Sequence, residues 1–192
     1  MPGLDRESLC GWLVDAAQAA ASVANYCDHV EHNELTERSW VSDAAATFRR
    51  LSIDMAVAAD DDLQRLYVAR IAQIEERNAL WDPDRFNGSD LAAHSTSWRG
   101  LQLAQIEHDR HYHPDIVGLA KADQLRHCAL HLAKLVGALA DLMVGNLDEA
   151  DFRARRLPDF LLFGLKLATL GGEKLPDQPI QVDVGSLNFV AG

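Results

Sequence analysis

Apolar residues recur at steps of three and four along most of this chain, a spacing that predicts a series of amphipathic helices. The first spans residues 5–32, where Leu9, Trp12, Leu13, Ala16, Ala20, Val23, Ala24 and Cys27 draw one stripe. A second spans residues 39–58 and turns Trp40, Ala44, Phe48, Leu51 and Met55 to one side. Asp60-Asp61-Asp62 then supplies an N-cap and first-turn acids, which suit the positive end of a helix dipole, ahead of a third helix at 63–80. Its pattern places Leu66, Ala69, Ile71, Ile74 and Leu80 inward, and Arg65, Arg70, Glu75, Glu76 and Arg77 outward. The Pro, Gly, Asn and Asp content of residues 81–89 marks a loop.

A fourth helix is expected over residues 91–111, with His113-Pro114-Asp115 stopping it, because a residue before proline is driven out of the helical region. Two more follow, at 125–143 and 157–168, separated by Asn146-Leu147-Asp148 and closed by Gly171-Gly172, the expected C-cap. Beyond Gly172 the pattern changes. Pro176 and Pro179 precede an alternation of Ile180, Val182 and Val184 that suits an extended segment, paired with a partner chain or laid along the bundle. The expected fold is an all-α helical bundle in three parts: an N-terminal helical region (1–97), a helical core (98–175) and an extended tail (176–192).

Composition narrows the function classes. A chain of 192 residues is long enough for one well-buried core, and its Ala- and Leu-rich make-up suits a soluble helical protein. A formal charge of -11 argues against binding duplex DNA or an anionic membrane, both of which need a basic face. Cys10, Cys27 and Cys128 show no metal-binding spacing and read as reduced thiols of a cytoplasmic protein. No stretch approaches the roughly 18 apolar residues that span a bilayer, and no secretion signal opens the chain.

The candidate chemistry lies on the last two helices. On the first, Leu125, Cys128, Leu132, Leu135, Val136, Leu139 and Met143 form the packing stripe, while His127, His131, Lys134, Ala138 and Asp141 fall on the opposite face. The blocks Lys134-Leu135-Val136-Gly137-Ala138 and Arg155-Arg156-Leu157-Pro158-Asp159, with Leu139-Ala140 and the Pro-Asp-Phe-Leu-Leu start at 158–162, carry a family likeness. Together with the approach His111-Tyr112-His113-Pro114-Asp115, they resemble the two central helices of the MazG-like nucleotide pyrophosphohydrolases, over about residues 98–175.

That family is all-α and works as dimers or tetramers, so the resemblance implies a homo-oligomer acting on nucleotides. It also implies acidic blocks that hold Mg²⁺, a hard cation that wants oxygen ligands bridged to substrate phosphates. Here Lys134, Arg155 and Arg156 stand at acidic positions, Leu135 and Ala138 are aliphatic, and only Asp159 is kept. Magnesium is therefore not expected in the usual family site. The reading that follows is a degenerate member that binds a nucleotide or phosphorylated metabolite through His127, His131, Lys134, Arg155, Arg156 and Asp159, with its pyrophosphohydrolase activity lost or altered. Against it stands a decayed site, with Arg153, Arg155 and Arg156 merely paired to Asp148, Glu149 and Asp151.

Other patterns point elsewhere. Glu107, Asp109 and His111 lie within about one turn of each other and, with His127 and His131, offer ligands for Zn, Mn or Fe in a hydrolase of another kind. The alternative for these histidines is a hydrogen bond to Glu107 or Asp109 that holds two helices in register. His108-Asp109 is similar to the dipeptide of HD-type phosphohydrolases. Arg126-His127-Cys128-Ala129-Leu130-His131 resembles the HEPN ribonuclease pattern, in which Arg steadies phosphate charge and His moves a proton. In the tail, Val184-Gly185-Ser186-Leu187 looks like the peptides that load helical cargo into encapsulin shells, which would make the chain an interaction module with a partner protein.

Overall fold

The computed structural model describes residues 4–37, 39–78 and 87–180, and every regular element among them is helical. In chain order these are α1 (Arg6–Glu31), α2 (Ser39–Ala58), α3 (Leu63–Asn78), α4 (Gly88–Ala93), α5 (Trp98–Tyr112), α6 (Pro114–Val117), α7 (Lys121–Met143), α8 (Glu149–Asp151) and α9 (Leu157–Gly171). The fold is all-α. Among the described residues no helix is long and apolar enough to cross a membrane.

Helix α9 has the sequence LPDFLLFGLKLATLG, apolar almost all the way round, and such a helix must be enclosed by its neighbours. The packing does this in two layers. Helices α1, α2, α9 and α7 form a ring in which each packs on the next, while α3 and α5 cover the flank of α9 that the ring leaves open. A single cluster of buried apolar side chains runs through both layers. The closest approach falls at Gly164, where a Cβ would lie 2.8 Å from Arg49 Cγ and 3.0 Å from the Arg49 backbone nitrogen of α2. The Arg49 guanidinium then grips both carboxylate oxygens of Glu173, at 3.2 and 3.0 Å, just past the end of α9.

Both ends of α9 follow from local chemistry. Pro158 has no N–H to donate to the carbonyl of Ala154, so an ordinary α-turn cannot be completed there. The chain widens instead into a π-helical turn over Phe152–Arg156, with the Leu157 N–H donating to the Phe152 carbonyl. At the other end Gly172 takes φ 79° and ψ 16°, the left-handed cap that Gly171-Gly172 predicts.

Three expectations need correction. The helix expected over 91–111 is two helices, α4 and α5, broken at residues 94–97. Ser97 caps α5 by accepting from the Gly100 N–H at 3.1 Å, and the free N–H groups of Trp98 and Arg99 reach the carbonyls of Gln178 and Pro176 at 3.2 and 3.1 Å. The segment after α9 thus supplies acceptors that a continuous helix would have supplied. Second, α3 is rotated from its expected face. Leu63, Tyr67, Ile71 and Glu75 are buried at successive steps of four, Arg70 is mostly covered, and Ala69 is exposed. Third, Ala138 is buried although it was placed on the outer face of α7. The expected extended segment begins with Pro179 bridged to Ser97 and Ile180 packed against the core. Leu80, the 81–86 part of the loop, Val182, Val184 and the Val184-Gly185-Ser186-Leu187 motif lie outside the described residues.

The two helical glycines should respond oppositely to alanine. Gly164→Ala forces α2 and α9 apart and should cost about 1–3 kcal/mol, less the ~1 kcal/mol gained in helix propensity. Gly137 of α7 faces open space, so Gly137→Ala should stabilise by about 0.5–1 kcal/mol. Thermal unfolding of both variants checks the pair, and shifts of the same sign would contradict this packing.

Candidate functional site

Asp159, Phe163 and Lys166 follow one another at steps of four and three on α9, so they share the face turned toward α3, α5 and α7. A charged group on so enclosed a helix must be paired. Asp159 is 6 % exposed and receives two bonds from Arg70 of α3, from Nε at 2.7 Å and from Nη2 at 3.1 Å. Burial pushes its carboxyl above the usual range even though Arg70 pulls the other way. Lys166 Nζ lies 2.8 Å from Asp109 Oδ1 of α5 and 5.4 Å above the centre of the Phe163 ring. Behind them the Tyr67 hydroxyl donates to Gln105 Oε1 at 2.7 Å, and Gln105 Nε2 donates to the same Asp109 Oδ1 at 2.9 Å. Desolvation raises Tyr67 well above its ordinary value, so it remains a hydroxyl donor.

Four histidines converge on this face. His108 is 1 % exposed, and neither ring nitrogen has a hydrogen-bond partner among the described residues. Its Nδ1 approaches buried Glu75 Oε1 at 3.5 Å without the alignment of a hydrogen bond, while Glu75 Oε1 accepts the Ser89 N–H at 3.1 Å. His113, the residue that ends α5, brings its ring alongside, and the ligand atoms of His108, Asp109 and His113 lie within 4.8 Å of one another. On α7, His127 and His131 sit with ring centres 4.7 Å apart, and His131 stacks on Phe163 at 4.8 Å. Burial lowers all four basicities, with His108 and His131 each reaching about 4. Neighbouring groups add to this at His131, where Lys134 and Lys166, and His127 once protonated, oppose a further charge. At neutral pH the cluster is a set of uncharged imidazoles.

Two cavities open along it. The inner one, about 330 Å³, is lined by the four histidines together with Arg70, Ile74, Arg77, Asp159, Leu162, Phe163 and Lys166. The outer one, about 420 Å³, shares Arg70 and Arg77 and adds Gln73, Glu76, Arg155 and Arg156. A smaller cavity of about 190 Å³ lies on the far side of His113, His127 and Lys166, against Gln105, Asp109 and Cys128. Desolvation lifts the Cys128 thiol to about 12, so it lines that wall as an inert group.

The residues singled out from sequence divide accordingly. His127, His131 and Asp159 line the inner cavity, and Arg155 and Arg156 line the outer one. Lys134 is exposed on α7, near enough to depress His131. Arg155 pairs with Asp151 at 3.0 Å on an exposed surface, and Arg153 is held by Asp61 at 2.7 Å, whereas Arg156 has no carboxylate partner among the described residues. The Glu107–Asp109–His111 grouping is not what the helix brings together. Glu107 pairs with Arg110, His111 lies on the exposed side, and Asp109 joins His108 and His113 instead. Neither His127 nor His131 is hydrogen-bonded to Glu107 or Asp109. Arg126 is bound to Asp123 and Glu31, at 2.6 and 2.9 Å, and leaves the Arg–His pattern without a shared pocket. Sequence reasoning missed Arg70, Glu75, His113 and Lys166. Lys166 was legible as the one cation within an apolar helix, and Glu75 as a carboxylate continuing the Leu63–Tyr67–Ile71 stripe.

A magnesium site of the MazG type does not fit these residues. Both oxygens of the surviving Asp159 are taken by a guanidinium, and the remaining family positions carry cations or aliphatics. Compared with protein-family models, curated proteins and solved structures, the chain matches none.

The buried imidazoles make stability pH-dependent. The unfolded chain takes up these protons near 6.5, whereas His108 and His131 resist them down to about 4. Stability present above about pH 6.5 should therefore be lost as pH falls toward 4, because the unfolded state binds more protons across that window. Thermal unfolding of chelator-treated protein should show this slope, and His108→Leu should flatten it. A slope unchanged in the variant would assign the effect to other groups.

Proposed function

We propose that this chain binds a nucleotide or a phosphorylated metabolite in the paired cavities that α3 forms with the π-helical turn, α7 and α9, using its own cations where MazG-like enzymes use magnesium. The observation that carries the reading is the convergence of Arg77 and Arg156 on one groove with no carboxylate partner among the described residues, next to Arg70. Guanidinium groups offer forked donors that match phosphate oxygens, and Glu76 is the one carboxylate on the outer wall among the described residues. Further in, Phe163, Leu162 and Ile74 present an apolar surface, with neutral His127 and His131 beside it. A base or sugar finds flat contacts and adaptable hydrogen-bonding groups there, while the phosphates stay at the arginines. Each cavity falls in the size range of roughly 300–1,000 Å³ usual for small-ligand sites.

The likeness to MazG-like enzymes supports the same ligand class, since Arg155 and Arg156 of the groove stand where that family places its magnesium-binding acids. On this reading the pyrophosphohydrolase chemistry is lost or altered, because the charge of the site is inverted. His127 and His131 remain as proton acceptors near the groove, but no attacking group is assigned to them.

Thermal unfolding with a panel of nucleoside mono-, di- and triphosphates, in EDTA and in Mg²⁺, tests the proposal. A ligand at about a hundred times its dissociation constant adds roughly 2.7 kcal/mol, a rise of about 5–10 °C for a chain of this size. That rise should occur in EDTA, shrink with added salt, and disappear in the Arg77→Ala, Arg156→Ala double variant. Stabilisation that requires Mg²⁺, or none at millimolar nucleotide, would overturn it.

A further inference from the structure

We propose that His108, Asp109 and His113 form a binding site for one divalent transition-metal ion of the zinc and iron(II) type. The site stands apart from the acidic positions that a MazG-like magnesium centre would use, since none of its members lies on α7 or α9.

The first support is geometric. Two imidazoles and a carboxylate offer ligand atoms that all lie within 4.8 Å of one another, on the last turn of α5. Asp109 and His113 are one helical turn apart, and the His113 N–H still donates to the Asp109 carbonyl at 2.9 Å. Pro114 starts α6 immediately afterwards, which fixes the direction in which the chain leaves. The ligands therefore sit on a rigid corner and need little movement to close on an ion. Two nitrogens and one oxygen, with further positions open to solvent or substrate, suit zinc, iron(II), cobalt or manganese better than magnesium.

The second support is independent of the first. His108 is buried at 1 % exposure, and both of its ring nitrogens lack a hydrogen bond among the described residues. Leaving a buried polar atom unsatisfied costs about 1–3 kcal/mol, so such a group calls for an explanation. A metal on Nε2 accounts for one nitrogen. The other, Nδ1, faces Glu75 Oε1 at 3.5 Å, where a small adjustment gives the carboxylate–histidine–metal arrangement that orients a ligand ring. Glu75, buried on the apolar stripe of α3, already accepts the Ser89 N–H with that oxygen and so lies anchored beside the ring.

Lys166 is the competing cation. Its ammonium lies 2.8 Å from Asp109 Oδ1, on a long side chain that can swing toward the inner cavity. A metal would take over that carboxylate. This makes Lys166 diagnostic, because it would weaken metal binding and strengthen phosphate binding.

The test is titration of chelator-stripped full-length protein with Co²⁺, read by visible absorption, and with Zn²⁺ in competition with a chromogenic chelator. One equivalent should bind. His108→Ala, His113→Ala and Asp109→Asn should each weaken it by about 100-fold or more, whereas His94→Ala and His111→Ala should leave it within a factor of about two. Lys166→Met should tighten metal binding while weakening nucleotide binding, which separates this site from the phosphate groove. Circular dichroism of each variant confirms that it is folded, and His113→Gln serves should His108→Ala not fold. Failure to bind either ion at micromolar concentration, or binding that survives loss of His108 and His113, would overturn the proposal without touching the nucleotide reading.

Discussion

Helix α9 is enclosed on every side, and this enclosure dictates where charge can exist in the molecule. A helix with so apolar a surface gains stability from each neighbour that covers it, which is why α2 closes to Gly164 on one flank and α3 and α5 complete the other. The enclosure is uneven in one respect. Asp159 and Lys166 interrupt the apolar surface on a single face, and neither can be left bare in a low-dielectric setting. Arg70 and Asp109 are consequently drawn in to pair with them, and they bring α3 and α5 into register with α9. The polar pocket is thus a product of the core rather than an addition to its surface.

Two electrostatic regimes meet in that pocket. Toward the outer cavity, guanidinium groups outnumber carboxylates among the described lining residues, in a protein whose overall charge is -11. Toward the centre, burial dominates and the imidazoles are neutral. Neutral imidazoles neither repel the arginines nor attract phosphate strongly; they supply lone pairs. The division suits a ligand with an anionic end and a polar, uncharged body. It also places good metal donors where a bare anion would gain little.

Much of the fold was legible from periodicity. The limits of α1, α2 and α7 fall within a few residues of those read from the apolar stripes, and the Gly172 cap lies where the glycine pair indicates. What escaped depends on partners distant in sequence. Residues 94–97 break a helix because acceptors arrive from 176 and 178, and no local pattern announces a partner some eighty residues away. The rotation of α3 escaped for a related reason. Charged residues were assigned to water, as their transfer cost suggests, but Arg70 and Glu75 are covered because Asp159, Ser89 and His108 await them. The candidate site inherits the same division. His127 and His131 were found by their spacing on one helix, whereas His108, His113 and Lys166 converge from two helices through packing alone. Asp109 was singled out with Glu107 and His111, whereas its carboxylate lies beside His108 and His113, and Glu107 pairs with Arg110.

Asp109 is the residue at which the two proposed sites are coupled. Its carboxylate holds Lys166 now, and it can hold either that ammonium or a metal at full strength, because the two charges would otherwise face each other across a few ångströms. A metal at His108, Asp109 and His113 would loosen the hold of Asp109 on Lys166, whose ammonium already lies over Phe163 and lines the inner cavity with Arg70 and Arg77. An anion in the groove would act in reverse, by drawing Lys166 off Asp109 and leaving the carboxylate to a cation. Each ligand would thus favour the other through one side chain, and linkage requires the two effects to be equal in free energy. The same carboxylate also carries the Tyr67–Gln105 chain into the core, so neither change can be made without being felt between α3 and α5.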